Sequence, residues 1–237
     1  MLEFRRSDTD TVLKCPEKWE EITLGRYVKF HKLYGELLAK IESEEDEDLT
    51  ILQVINKHPD YFKRVVCFWL GIAEQEIDLF KFEDVITVWG AISKVLEQPA
   101  INEGCESFKY KGITYTSTEN KTNHFGQRLP LSGQTFGEVV EFLQVEQTQK
   151  AVDGGDFGAI PYQIAILFRK ENEVYSDEMV SERAEMFLGL SMDIVWEIAF
   201  FFQHKKKDYL TNTQVSLQAL ELIKVKTALL NMVGTTQ

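Results

Sequence analysis

The carboxylates most suggestive of acid–base chemistry in this chain are Asp193 and Glu197. They stand four residues apart within "MFLGLSMDIVWEIAFFF", residues 186–202, a segment that is otherwise almost entirely apolar. If both were buried on one helix face, their repulsion would make one carboxyl keep its proton, and such a group can act as a general acid. The alternative is a narrow polar stripe on a structural helix, with Arg183 or lysines nearby. We favour the alternative because no further catalytic motif accompanies the pair.

Metal-binding and phosphate-binding motifs are not found in the sequence. The acidic run "ESEEDED", residues 42–48, lacks the glycine of a calcium loop and is interpreted as a solvated linker. "DGGDFGAIP", residues 153–161, lacks the G-K-[ST] ending of a phosphate loop and is interpreted as a hinge. The histidines and cysteines are scattered, without paired spacing or a C-x-x-C motif: His31, His58, His124, His204, Cys15, Cys67 and Cys105. We therefore expect no catalytic residue, metal or cofactor, and we expect His31 and Cys67 to pack in the core.

The composition is that of a globular protein with an acidic surface. The chain has 237 residues, 44% of them hydrophobic, a formal charge of −12 and a pI near 4.9. This charge argues against general nucleic-acid binding, which needs a surplus of Lys and Arg. Charged residues near the N-terminus argue against a signal peptide, and segment 186–202 is short for a membrane span and contains two acids. An odd, unpaired set of cysteines favours a reducing compartment, so we expect a cytoplasmic protein.

The first hundred residues predict a hairpin followed by helices. Short strands flank the turn-forming "SDTD" within residues 2–15, and Thr23 is a suitable N-cap for a helix that begins at Leu24. Pro59 predicts a break between two helices, because proline disrupts a helix interior. A further amphipathic helix is predicted within "FKFEDVITVWGAISKVL", residues 80–96.

The rest of the chain repeats this order of elements. A hairpin with its turn at Lys111 and Gly112 precedes a helix capped by Thr135, a helix in "YQIAILFRK" and one long helix from Ser176 to the lysines at 205–207. A final amphipathic helix would dock on the body of the protein or reach a neighbouring subunit. Its apolar stripe comprises Val215, Ala219, Leu222, Val225, Leu229 and Met232.

Two helix starts share a pattern, "TLGRYVKF" at residues 23–30 and "TFGEVVEF" at residues 135–142. Gly25 in the first turn would permit another backbone to approach closely, and Phe30 would fill the crevice beside it. The matching positions are Thr23, Gly25, Val28 and Phe30 with Thr135, Gly137, Val140 and Phe142.

The predicted fold class is therefore α+β, predominantly α-helical. It comprises two tandem pseudo-repeats, each a β-hairpin followed by several helices, plus a C-terminal helix. The predicted units are residues 1–100, residues 101–203, and a basic linker with an amphipathic helix at residues 204–237.

The phrases "CPEKWEEITLGRYVKFHKL" and "LSGQTFGEVVEFLQ" resemble small morphogenesis proteins of tailed bacteriophages, in particular tail-assembly-chaperone-like proteins of phages of Bacteroidetes-type hosts. The resemblance covers residues 16–30 best and residues 129–203 loosely. It implies a helical, non-enzymatic protein of the infected host cytoplasm that binds a structural polypeptide such as the tape measure.

The expected function is thus phage assembly through apolar helical surfaces. Partners would be the tape measure or tail components, with homo-oligomer formation left open, and no membrane. The alternatives are a structural virion component of the tail or head-to-tail connector and, more remotely, an enzyme that uses Asp193 and Glu197. The predicted partner-binding residues are Trp19, Tyr27, Phe30, Phe136, Phe142, Leu222 and Leu229.

Overall fold

The protein combines helices with two small antiparallel sheets, seen in a computed structural model that describes residues 1–5, 11–44, 51–96, 104–117, 157–171 and 173–200. The strands are β1 (Leu2–Arg5), β2 (Val12–Cys15), β3 (Ser107–Tyr110), β4 (Ile113–Ser117) and β5 (Phe168–Arg169). The helices are α1 (Leu24–Glu44), α2 (Ile51–Lys57), α3 (Pro59–Leu70), α4 (Phe82–Leu96), α5 (Ile160–Leu167), α6 (Asp177–Phe187) and α7 (residues 192–200). The predicted mixed and mainly helical class is confirmed for these residues.

The first hairpin and the helix that follows it form as predicted. β1 and β2 pair with Leu2 opposite Cys15, and Cys15 is fully buried where β2 packs on α3 and α4. The backbone N–H of Arg26 donates to Oγ1 of Thr23 at 3.3 Å, so Thr23 caps α1. α3 begins at Pro59, as the proline predicts.

The second hairpin is built around a tight turn. Lys111 and Gly112 both have positive φ, 49° and 80°, the turn conformation whose twist matches that of paired strands. Phe108 faces Tyr115 across the hairpin, and their rings stack with centroids 5.5 Å apart. The predicted turn is confirmed.

The segment after α5 corrects one prediction. Residues 168 and 169 were expected to continue a helix, but they form β5, which pairs with β4 through Thr116 and Arg169 and through Ser117 and Phe168. Phe168 is fully buried beside Phe108. The strand forms because β4 offers an edge of free backbone groups, an interaction that helical periodicity along one segment cannot reveal.

The expected long helix from Ser176 is two helices, and this prediction is wrong. α6 ends at Phe187, a turn spans residues 188–190, and α7 begins after Ser191. The break frees two carbonyl groups for contact with the start of α1. The backbone N–H of Leu24 donates to Leu190 O at 2.7 Å, and that of Gly25 donates to Leu188 O at 2.7 Å.

At the junction between the start of α1 and the turn before α7, each segment donates backbone hydrogen bonds to the other. Met192 N donates to Ile22 O at 2.8 Å, and Thr23 forms an antiparallel bridge with Ser191. A Cβ on Gly25 would lie 3.1 Å from Leu188 O and 3.3 Å from Leu188 Cβ. The prediction that Gly25 admits another backbone is therefore confirmed.

Both predicted units contribute to one hydrophobic core. Buried side chains from α3 and α4 belong to the same cluster as those from β3, β4, α5, α6 and α7. The second copy of the helix-start pattern, residues 135–142, lies outside the described residues, so the tandem repeat stays a prediction, as does the unit at residues 204–237. Among the described helices, none has both the length and the apolar character needed to cross a bilayer.

Gly189, in the turn before α7, provides a test of how that turn packs against Tyr110 of the second hairpin. A Cβ there would clash with the hydroxyl oxygen of Tyr110, so Gly189→Ala is expected to cost about 1–3 kcal/mol of the free energy of unfolding. Adding Tyr110→Phe removes that oxygen and leaves the ring carbon Cζ at 3.5 Å, so the double variant should recover most of the loss.

The measurement is urea unfolding of the single and double variants. Gly90→Ala is the matched control, since a Cβ at Gly90 in α4 meets nothing within 4 Å and alanine favours helix. Additive losses at residues 189 and 110 would show that the hydroxyl is not the obstacle.

Candidate interaction surface

Five aromatic rings meet where four elements converge, the 3-10 turn before α1, α1 itself, the turn at residues 157–159 before α5, and α7. We call these rings the aromatic cluster. Trp19 lies edge-on to Trp196 with centroids 5.5 Å apart, and Tyr27 lies 5.6 Å from Trp19 and 5.1 Å from Phe157. His31 lies 4.1 Å from Phe157. The pairs Trp19–Trp196, Trp19–Tyr27 and Tyr27–Phe157 are edge-to-face, and such pairs contribute about 0.5–1.5 kcal/mol each beyond area burial. The cluster therefore joins the two predicted units.

Local structure places each ring. Trp19 opens a short 3-10 turn, Trp19–Glu21, which leads the chain from β2 into α1. Tyr27 and His31 are one helical turn apart and share a face of α1. Trp196 stands one turn into α7, and its position follows from the pairing of Leu24 and Met192 at the junction. No short motif encodes this convergence.

The cluster is only partly covered. Tyr27 is 5% exposed, whereas Trp19, His31, Phe157 and Trp196 are half-buried. Glu20 and Glu197, which follow Trp19 and Trp196 in the chain, are exposed and negatively charged, and the exposed Lys18 precedes Trp19. Half-buried tryptophans bordered by carboxylates can bind apolar groups together with cations.

A cavity of about 180 Å³ lies between α1, α5 and α6, and two of its lining residues, Val28 and Gly158, are chain neighbours of the cluster residues Tyr27 and Phe157. Its wall includes Val28, the neighbour of Tyr27, and also Pro161, Tyr162 and Leu188, with the acidic side chain of Glu185 at its edge. An apolar cavity of about 150 Å³ can hold a group the size of benzene, so this one has room for an aliphatic side chain. The aromatic cluster and the cavity together are called the candidate surface below.

The predicted partner-binding residues divide into three groups. Trp19 lies in the candidate surface, half-buried. Tyr27, which is also part of the aromatic cluster, and Phe30 are 5% and 1% exposed, so their rings pack inside the protein, and partner binding through them stays a prediction. They point inward because α1 presents that face to α3 and to the cluster. The others lie outside the described residues: Phe136, Phe142, Leu222 and Leu229.

The carboxylate pair does not share a buried site. Glu197 is exposed, and Asp193 is half-buried in the first turn of α7, where the helix dipole favours a negative charge. Arg183 is not the neighbour of this pair, because its guanidinium donates to the carboxylate of Glu173. The acid–base role was predicted on the condition that both carboxylates are buried together, so that one keeps its proton. The structure does not meet this condition.

The cysteines are expected to be unreactive. Cys67 is buried in α3, as predicted, and burial raises its thiol pKa to about 11. Burial, followed by the charge of Glu197, raises the pKa of Cys105 to about 11 as well. A thiol reacts as its thiolate, so both side chains are in the inert form at neutral pH.

His31 gives a prediction about pH. Burial against Tyr27 and Phe157 lowers its pKa from 6.5 to about 4. Between pH 6.5 and about 4, His31 is protonated in the unfolded chain but stays neutral in the folded chain. The free energy of unfolding therefore keeps its full value above pH 6.5 and decreases as the pH falls towards 4. Urea unfolding of wild type and His31→Phe at pH 7 and pH 4.5 should show a smaller loss for the variant. Equal losses would contradict this role of His31.

Within the described part of the chain, no group of three or more His, Cys, Asp or Glu side chains is placed to hold a metal ion. The candidate surface is thus the feature with the clearest capacity for binding, through apolar contact and negative charge. No protein-family model, curated protein or solved structure matches this chain.

Proposed function

We propose that this protein is a non-enzymatic bacteriophage assembly protein that holds another phage structural polypeptide, such as the tape measure or a tail component, against its candidate surface. The observation that supports the proposal is the half-buried aromatic cluster, together with the nearby cavity between α1, α5 and α6, whose wall combines apolar side chains with Glu185. The resemblance of residues 16–30 to tail-assembly-chaperone-like proteins supplies the class of partner.

The chemistry of the surface favours an apolar segment that carries Lys or Arg. Trp19 and Trp196 offer ring faces and edges, and the cavity accepts an aliphatic side chain. Glu185 lines the cavity, and the exposed Glu20 and Glu197 are the chain neighbours of the two tryptophans, so negative charge accompanies both features. Tryptophans in such positions frequently dominate binding energies, because they bury a large area at a small cost in side-chain entropy.

Truncation of Trp19 tests the proposal. The full-length protein would be co-expressed with each tail and tape-measure polypeptide of the encoding phage and recovered by pull-down. Trp19→Ala is expected to weaken the recovered complex about tenfold or more, the effect of losing a binding hot spot.

The matched control is Trp89→Ala, which truncates a half-buried tryptophan of α4 that packs on Phe62 rather than in the cluster. Recovery should survive this change once both variants are shown to be folded. If wild type recovers no phage polypeptide, the proposed function is wrong. If Trp19→Ala and Trp89→Ala weaken binding equally, the partner binds elsewhere.

Mass spectrometry of purified particles distinguishes the remaining alternative. An assembly factor should be absent from the finished virion or present in trace amounts. Stoichiometric presence would instead favour a structural component of the tail or connector.

A further inference from the structure

Positive charge is concentrated at the end of this chain. Residues 204–237 contain five lysines against Asp208 and Glu221, a formal charge of +3, which leaves −15 for residues 1–203. The same segment has an apolar stripe that includes Leu222, Val225 and Leu229, and it lies outside the described residues. It therefore has the chemistry that the candidate surface favours, apolar groups accompanied by cations.

The segment is also attached close to that surface. Trp196 precedes residue 200, the last described residue of α7, by four positions, which is about 6 Å along a helix. Segment 204–237 begins only four residues further on. A short connection gives an intramolecular ligand an effective concentration on the order of millimolar, so even weak affinity would keep the surface occupied.

We propose that residues 204–237 dock on the candidate surface of their own chain. The apolar stripe covers the aromatic cluster and places an aliphatic side chain in the cavity beside Val28 and Leu188. In this docking, lysines of the segment lie near Glu185 in the cavity wall and near the exposed Glu20 and Glu197, the chain neighbours of Trp19 and Trp196. This docking does not depend on the proposed function.

A regulatory consequence does rest on the proposed function. A partner polypeptide would have to displace the segment, so its apparent affinity would fall by the fraction of molecules in which the surface is free. Releasing the segment should therefore strengthen partner binding.

The test uses the full-length protein labelled with 5-fluorotryptophan and observed by ¹⁹F NMR. The chain has four tryptophans, of which Trp19 and Trp196 lie in the cluster and Trp69 and Trp89 do not. The variant Leu222→Asp/Leu229→Asp is expected to shift the first two signals and leave the other two in place. Added synthetic peptide 204–237 should return the shifted signals towards their wild-type positions.

The matched control carries the same added charge on the other side of the segment. On a helix of 3.6 residues per turn, Thr227 and Asn231 fall opposite Leu222 and Leu229, so Thr227→Asp/Asn231→Asp should shift none of the four signals. Unchanged Trp19 and Trp196 signals in the first variant would overturn the proposal, as would equal shifts in both.

Carbodiimide cross-linking of wild type gives a readout that needs no variant. Links from lysines 205–207, 224 or 226 to Glu20, Glu185 or Glu197 are expected within the monomer. Links found only in a dimer, or ¹⁹F signals that change with protein concentration, would assign the segment to a second copy and overturn docking on its own chain. These measurements contain no partner, so their failure is distinct from failure of the pull-down.

Discussion

Replacing Arg183 with methionine is expected to destabilise the protein by about 3–5 kcal/mol, the cost of leaving a buried charge unpaired. Its side chain is 6% exposed and that of its partner Glu173 is 8% exposed. Nη1 of Arg183 donates to Ala165 O at 3.1 Å and to Phe168 O at 2.8 Å, at the end of α5 and the start of β5. The variant removes these hydrogen-bond donors and leaves the buried carboxylate of Glu173 without its cationic partner.

Urea unfolding measures the loss, and Lys63→Met is the matched control. Lys63 also pairs with a carboxylate, that of Asp78 at 3.1 Å, but the Asp78 side chain is 71% exposed. Water screens such a pair, so the control should cost no more than about 1 kcal/mol. The double variant Arg183→Met/Glu173→Gln should lose less than Arg183→Met alone, because it buries no orphan charge. Comparable losses of stability for Arg183→Met and Lys63→Met would show that the buried ion pair contributes no more to stability than the exposed one.

Phe30→Ala is expected to cost about 3–5 kcal/mol through loss of buried area and creation of a cavity. Phe30 is 1% exposed, and its ring lies 5.1 Å from that of Trp69 and 5.5 Å from that of Phe68. Leu33→Ala on the same helix is the control, because Leu33 is 55% exposed and surface truncations usually change stability by about 0.5 kcal/mol or less.

This comparison also separates core residues from surface residues in α1 and its approach. Phe30→Ala should lower stability, with any loss of partner binding restored at lower temperature, where the folded fraction is higher. Trp19→Ala should lower binding while most of the stability remains. A Phe30 variant as stable as the Leu33 variant would contradict the core position of this ring.

Local chemistry was enough to predict several elements. Thr23 caps α1, Pro59 opens α3, and Lys111 with Gly112 turns the second hairpin, because each signal acts within a few residues of itself. The close approach at Gly25 also followed from residue type, since a glycine in a first helical turn leaves space that another backbone can use.

The errors have a common cause in contacts between distant segments. The segment from Ser176 to the lysines at 205–207 was predicted as one helix, yet pairing of Leu188 and Leu190 with the start of α1 favours a break. Phe168 was predicted to continue a helix, yet it forms a strand because it pairs with β4 through Ser117. Arg183 was named, with lysines, as a possible neighbour of Asp193 and Glu197, yet it pairs with Glu173, which reaches it across a turn and not along the helix.

Residue types and spacing thus determined where most helices and hairpins begin, that the chain is acidic, and that its lysines are dense after residue 203. Only the tertiary structure decided that Trp19, Phe157 and Trp196 meet, which residues of α1 face inward, and that Asp193 and Glu197 do not share a buried site. The physical reason is the distance along the chain over which each kind of interaction acts. Caps, turns and periodicity act over a few residues, whereas a surface assembled from positions 19 to 196 depends on how separate elements pack.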